Sequence, residues 1–298
     1  MADGAVLQSI LSYGPVFLLI AVRAFAMIQT APLLNSDAIP MVAKFALAGF
    51  AAFTALPSAE AFSPEAMGLT GVSGVGAVML PGSDRLLSDL RFEALNLNFA
   101  LLVIGEAIIG IIIGFFMTII FAVFSTAGQF FSLQMGFGAS ETFDPLAQVE
   151  NPLMGQYLNL VSMLVFLVIG GFYTLFLGGF WRSVQSVNII MFIEGRETVI
   201  NLIVSGLPRL FRDAFVIALP ILGTLFLTSL STGLISKAAP QINILSEGFP
   251  ISITTAFVVI WAILPFMTEA FARIINSGFA SIQSLYAQIG RPIGGSGL

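Results

Sequence analysis

The chain has 298 residues, of which 57% are hydrophobic and only 9% charged, with 16 acidic against 11 basic side chains and neither Cys nor His. A soluble domain carries about 25% charged residues, so this chain cannot cover itself with polar surface and reads as a membrane protein. The missing Cys and His exclude disulfides, thiolate or imidazole metal sites and the commonest general base, and the acidic balance gives no reason to expect nucleic acid as a partner.

A spanning helix needs ~20 apolar residues, and six hydrophobic segments stand out in chain order. The first, Tyr13 to Leu34, is interrupted only by Arg23. Its N-terminal flank carries Asp3 rather than the positive charge of a signal peptide, so it is expected to stay as a helix. Val42 to Leu56 is short and suits either a thin span or a hairpin partner of the first helix. Residues 58–93 hold Gly68, Gly71, Gly74, Gly76 and Gly82, a glycine content that disfavours helix. Leu95 to Phe124 is the longest apolar run, broken only by Glu106, and exceeds one span. Residues 125–156 read as a second irregular region. Tyr157 to Phe180 spans and ends on Trp181-Arg182, an interfacial pair. Arg182 to Asp213 reads as a polar connection. Ala214 to Ile235 and Phe249 to Ala272 span, separated by a short polar break, and the tail from Arg273 is expected to fray. The fold class is therefore all-α: a polytopic helical bundle forming a single integral membrane domain. If all six segments cross, Arg85, Arg91, Arg182, Arg196, Arg209, Arg212, Arg273 and Arg291 share one side, which the positive-inside rule places in the cytoplasm together with both termini.

Some residues are costly to keep in lipid. Arg23 and Glu106 each interrupt an apolar run, where a central charge costs ~2.5–3.5 kcal/mol. They lie ten and eleven residues into their segments, about 15 Å deep at ~1.5 Å per residue. Equal depth and opposite sign predict an ion pair; satisfaction of each by backbone carbonyls or water is the alternative. Gly110 and Gly114 form a small-xxx-small step suited to close helix packing. Gln134, Met135, Gly136, Phe137, Phe143, Asp144 and Pro145 combine turn-forming residues with apolar side chains. That suggests a re-entrant or pore-lining element, or else a loop packed on a neighbouring helix. Pro240, Gln241, Asn243, Gly248, Phe249 and Pro250 form a hairpin turn that could also contact another subunit, with Pro250 suited to the first turn of the following helix. Nucleotide-binding, zinc-protease and nucleophile-elbow motifs are missing, so no catalytic residue, metal site or cofactor is expected.

Several of these landmarks occur in the order and spacing of a known family. Arg23, Ala31-Pro32, Ile39-Pro40 and Lys44 are followed by Glu106, Ile109-Gly110, Gly114-Phe115, Ala127-Gly128-Gln129, Gln134-Met135-Gly136 and Phe143-Asp144-Pro145. Leu219-Pro220, Ala238-Ala239-Pro240-Gln241-Ile242-Asn243 and Gly248-Phe249-Pro250 complete the series. From about residue 15 to 270 the chain resembles the FliR family of flagellar type III export, whose injectisome counterpart is SctT.

The resemblance implies a non-enzymatic subunit of a protein export gate in the bacterial cytoplasmic membrane at the flagellar basal body. Its partners would be FliP-like and FliQ-like gate subunits, FlhA-like and FlhB-like export components, membrane lipid, and unfolded flagellar proteins as cargo. It implies a FliP-like part over 13–213, a FliQ-like hairpin over 214–272 and a tail over 273–298. The segment from Gln134 to Pro145 would then resemble a plug, with Met135, Phe137 and Phe143 as closing residues. The chain departs from the family pattern where Ala139 and Thr142 replace common aromatics. A rival reading from the residues alone is a secondary transporter of a small solute with Arg23 and Glu106 at its core.

Overall fold

A computed structural model of the chain describes residues 2–36, 38–58, 97–136, 153–187, 189–238 and 244–289. Among these residues the regular structure is entirely helical. Helix α1 runs Ala2–Thr30, α2 Met41–Ala55 with a short 3-10 turn at Leu56–Ser58, and α3 Leu97–Met135. Helix α4 covers Leu153–Val168, and α5 covers Gly171–Ser186 with a π-helical stretch at Thr174–Trp181. The short α6 is Ile189–Glu194, and the long α7 and α8 are Arg196–Ala238 and Ile244–Ile289.

In their described residues all six apolar segments are largely helical, but they differ in reach. Three helices are each long and apolar enough to cross a membrane (α3, α7 and α8), and α4 with α5 passes that test only as a broken pair. The break falls at Gly170, whose φ of 70° lies in the left-handed region that glycine adopts without penalty. Helix α2 has 15 residues, about 22 Å at 1.5 Å per residue. It packs along α1 as a hairpin partner, with the Phe25 and Phe45 rings stacked at 4.3 Å.

Three boundaries differ from the sequence expectation. Helix α3 continues through Ser125–Met135, which the sequence assigns to a loop. Residues 182–213, expected as a polar connection, are largely helical as the end of α5, α6 and the start of α7. Helix α8 continues sixteen residues past Arg273, to Ile289, where a frayed tail was expected, and it begins at Ile244, so Pro250 lies inside it rather than in its first turn. The common cause is that apolar residues recur on one face of these stretches. Val199, Leu210, Ile275, Phe279, Ile282 and Tyr286 are all buried, and burial of such a face outweighs weak local propensity. The expected loop at 58–93 lies, from residue 59 on, outside the described residues.

The chain divides into two compact units, Met1–Thr118 with Phe172–Ile203 and Phe279–Leu298, and Ile119–Gly171 with Val204–Gly278. In the first, α1 and α3 approach so closely that a Cβ at Gly110 would strike the Arg23 carbonyl oxygen and one at Gly114 the Thr30 hydroxyl. The Thr118 hydroxyl donates to the Thr30 carbonyl across the same contact at 3.0 Å. The second unit is built on an aromatic core of Phe121, Phe124, Phe166 and Phe271. There α3 and α4 cross at Gly128, where a Cβ would meet the Met154 carbonyl and the Gly155 backbone.

Candidate functional site: a buried arginine network

Arg23 is 0% exposed and Glu106 1%. Nε of Arg23 donates to Oε2 of Glu106 at 2.5 Å, so the two intramembrane charges do meet. The pair is only half of the arrangement. Helix α5 ends at Ser186 because Val187 turns extended, at φ −133° and ψ 119°. A helix end leaves carbonyls without intrahelical donors. Arg23 supplies donors to that end: one terminal nitrogen donates to the Ser183 carbonyl at 2.7 Å and to the Ser183 hydroxyl at 3.3 Å, and the other to the Val187 carbonyl at 2.9 Å. The Ser183 hydroxyl in turn donates to the Phe180 carbonyl at 2.7 Å.

Arg23 therefore neutralises Glu106 and caps α5 together. The planar fork of a guanidinium spreads its donors over three nitrogens and so reaches both, whereas an ammonium would offer its donors from a single point. A cation placed at a helix C-terminus also meets the negative end of the helix dipole. Nothing in the arrangement activates a nucleophile, and among the described residues no group of His, Cys, Asp or Glu side chains is placed to hold a metal ion.

Ser183 and Val187 were not singled out by the sequence, since a backbone carbonyl leaves no residue signature. Tyr286 was missed as well. It is buried near Arg23, and its hydroxyl has no hydrogen-bond partner among the described residues. Lys44 is only 5% exposed, on the face of α2 shared with Ala48, Ala51 and Ala52.

The other predicted landmarks are described in part. Gln134 is half-buried, Met135 is buried, and Gly136 ends α3 with φ 93°, its N–H donating to the Leu133 carbonyl at 3.2 Å. A Cβ at Gly136 would strike the ring of Phe249, so the start of the expected plug and the Gly248-Phe249-Pro250 landmark on α8 come together. Phe137, Phe143, Asp144 and Pro145 lie outside the described residues, as do Pro240, Gln241 and Asn243.

The model of the family described as "Bacterial export proteins, family 1" matches residues 15–278. The chain belongs to the FliR family of bacterial export proteins. The flagellar biosynthetic protein FliR of Borreliella burgdorferi is 32% identical over 189 residues, covering 63% of this chain and 70% of that relative. FliR of Bacillus subtilis is 25% identical over 286 residues, covering 95% and 99%. The surface presentation of antigens protein SpaR of Shigella flexneri is 29% identical over 161 residues, covering 54% and 61%. The family match at residues 15–278 spans the positions of Arg23, Glu106, Ser183 and Val187.

Proposed function

We propose that this FliR-family chain is a non-enzymatic wall subunit of a flagellar type III protein export gate, lining and helping to close a channel for unfolded flagellar proteins. The observation that carries this reading is the enclosure of the Arg23–Glu106 pair, exposed by 0% and 1%. A solute transporter needs its intramembrane charges reachable from one side of the membrane or the other; here they are spent on holding three helices together. The names of the relatives favour a flagellar system.

On this reading residues 13–213 act as a FliP-like part and 214–272 as a FliQ-like hairpin. The subunit works with FliP-like, FliQ-like, FlhA-like and FlhB-like partners at the basal body in the cytoplasmic membrane. The region from Gln134 to Pro145 serves as the plug, since an apolar constriction closes a channel by dewetting and steric block. Affinity purification of the full chain is expected to bring down FliP-like and FliQ-like subunits in defined stoichiometry. A chain that purifies alone and binds a small solute would favour the transporter instead. Deleting Gly138 to Thr142 is expected to let ions through the closed gate, and unchanged permeability of vesicles holding the assembled complex would count against the plug.

A further inference from the structure

Helix α5 departs from regular α geometry just before the end that Arg23 caps. Its exposed positions run Tyr173, Leu177 and Arg182, spaced by four residues and then by five. The Arg182 N–H donates to the Leu177 carbonyl five residues back, the bond of a π-helical turn, and also to the Gly179 carbonyl. The π-helical stretch covers Thr174–Trp181. Such stretches are rare and are found frequently at functional sites.

The offset decides which residues face Arg23. In an α-helix the positions i, i+4, i+7, i+8 and i+11 share a face. Counted from buried Leu175, i+4 and i+7 are Gly179 and Arg182. Gly179 is buried, but past it the buried residues are Phe180, Ser183, Val184 and Val187. Each stands one residue later than the α-helical pattern, so the stretch holds one surplus residue, and the Gly178-Gly179 pair lies where the pattern slips. Without that residue's offset, Arg182 would take the inward face, toward Arg23 and Glu106, and Val184 would turn outward. As it stands, Arg182 is exposed and its Nη1 donates to Oε1 of Gln283 on α8 at 3.4 Å.

Both carbonyls that Arg23 holds, those of Ser183 and Val187, lie downstream of the π-helical stretch. We propose that Arg23 is a latch that keeps the end of α5 one residue out of α-helical register. Unlatching rewinds the stretch, turns the end of α5 by about 100° and brings Arg182 inward as the replacement cation for Glu106. Two forces drive the rewinding. The stretch returns to the commoner α geometry, and a buried Glu106 stripped of Arg23 is an uncompensated charge that Arg182 can neutralise. All the parts, including Gln283, belong to the first compact unit. The inference concerns the register of α5 and does not depend on what the chain transports.

The chain has no Cys, so single thiols can report on each face of α5. Val184 is fully buried and Ser186 half-buried, and Val184→Cys and Ser186→Cys leave Arg182 in place. In the full chain in membranes, N-ethylmaleimide should label the thiol at position 186 and spare the one at position 184. In an Arg23→Gln background the label should move to position 184 and be lost from position 186. Labelling that stays where it was, or that rises at both positions as local melting would give, overturns the proposal. Removing one glycine of the Gly178-Gly179 pair takes away the surplus residue. With Arg23 present, this deletion should leave the labelling pattern and the amount of full chain accumulating in membranes unchanged, whereas deleting Ile112 from the regular helix α3 should abolish accumulation. In the Arg23→Gln background the glycine deletion should keep the label at position 186, and movement of the label despite it would count against the latch. A glycine deletion as damaging as the Ile112 deletion would overturn the proposal even if Arg23→Gln is too unstable to label.

Discussion

At the scale of single residues, Arg23 has two duties, and substitutions should separate them. Arg23→Met removes the cation from Glu106 and the donors from the Ser183 and Val187 carbonyls, and breaking a buried pair in this way costs about 3–5 kcal/mol. Melting of the detergent-solubilised complex should fall accordingly. Arg23→Lys keeps the charge but offers one nitrogen in place of three, so it should restore only part of the loss. Exchanging the charges, Arg23→Glu with Glu106→Arg, should not rescue the fold even though the pair exists, because a carboxylate at position 23 cannot donate to the two carbonyls. Rescue by the exchange to near wild-type stability would show that the capping bonds contribute nothing. Gly136 gives an independent test. Its φ of 93° costs an L-residue about 1–2 kcal/mol, and a Cβ there would also strike Phe249. Gly136→Ala should therefore destabilise by at least that amount, measured as a lower melting temperature.

At the scale of elements, the α1–α3 contact depends on two missing side chains. Gly110→Ala and Gly114→Ala would each drive a methyl into backbone or hydroxyl oxygen of α1. Overpacking of this kind costs about 1–3 kcal/mol, and in these variants the yield of assembled complex should drop. The small-xxx-small spacing of these glycines was legible in the sequence, as were all six apolar segments and the matched depth of Arg23 and Glu106. The helix ends were not. Ser125–Met135 reads as irregular because Ser, Thr, Gly and Gln dilute its apolar character, yet Phe131 and Met135 are fully buried on one face. The last stretch of α8 reads as a polar tail for the same reason, while Ile275, Phe279, Ile282 and Tyr286 are buried at helical spacing. A partner made of backbone carbonyl, such as Ser183 or Val187, could not have been found from composition at all.

At the scale of the whole molecule, among the described residues, buried Arg23 and Glu106 are invested in holding helices together, and large apolar side chains stand exposed on every long helix. Trp261 is 79% exposed, and Val42, Phe50, Phe53, Val168 and Phe266 stand out from their helices in the same way. Such a surface needs lipid or other subunits as solvent. The full chain expressed without its partners and stripped of lipid should aggregate, and supplying the partners together with lipid should return a monodisperse species by size-exclusion chromatography.

The order in which Arg23 finds its partners has a consequence for synthesis. Glu106 is 83 residues downstream of Arg23, Ser183 is 160 and Val187 is 164. At ribosomal speeds of about 5–20 residues per second, the guanidinium waits roughly 4–17 s for its carboxylate and about twice as long for its carbonyls. Until then the nascent N-terminal helix carries a naked cation that hydrocarbon rejects. Its final seating is therefore post-insertional, completed once the ribosome has delivered the second half of the protein.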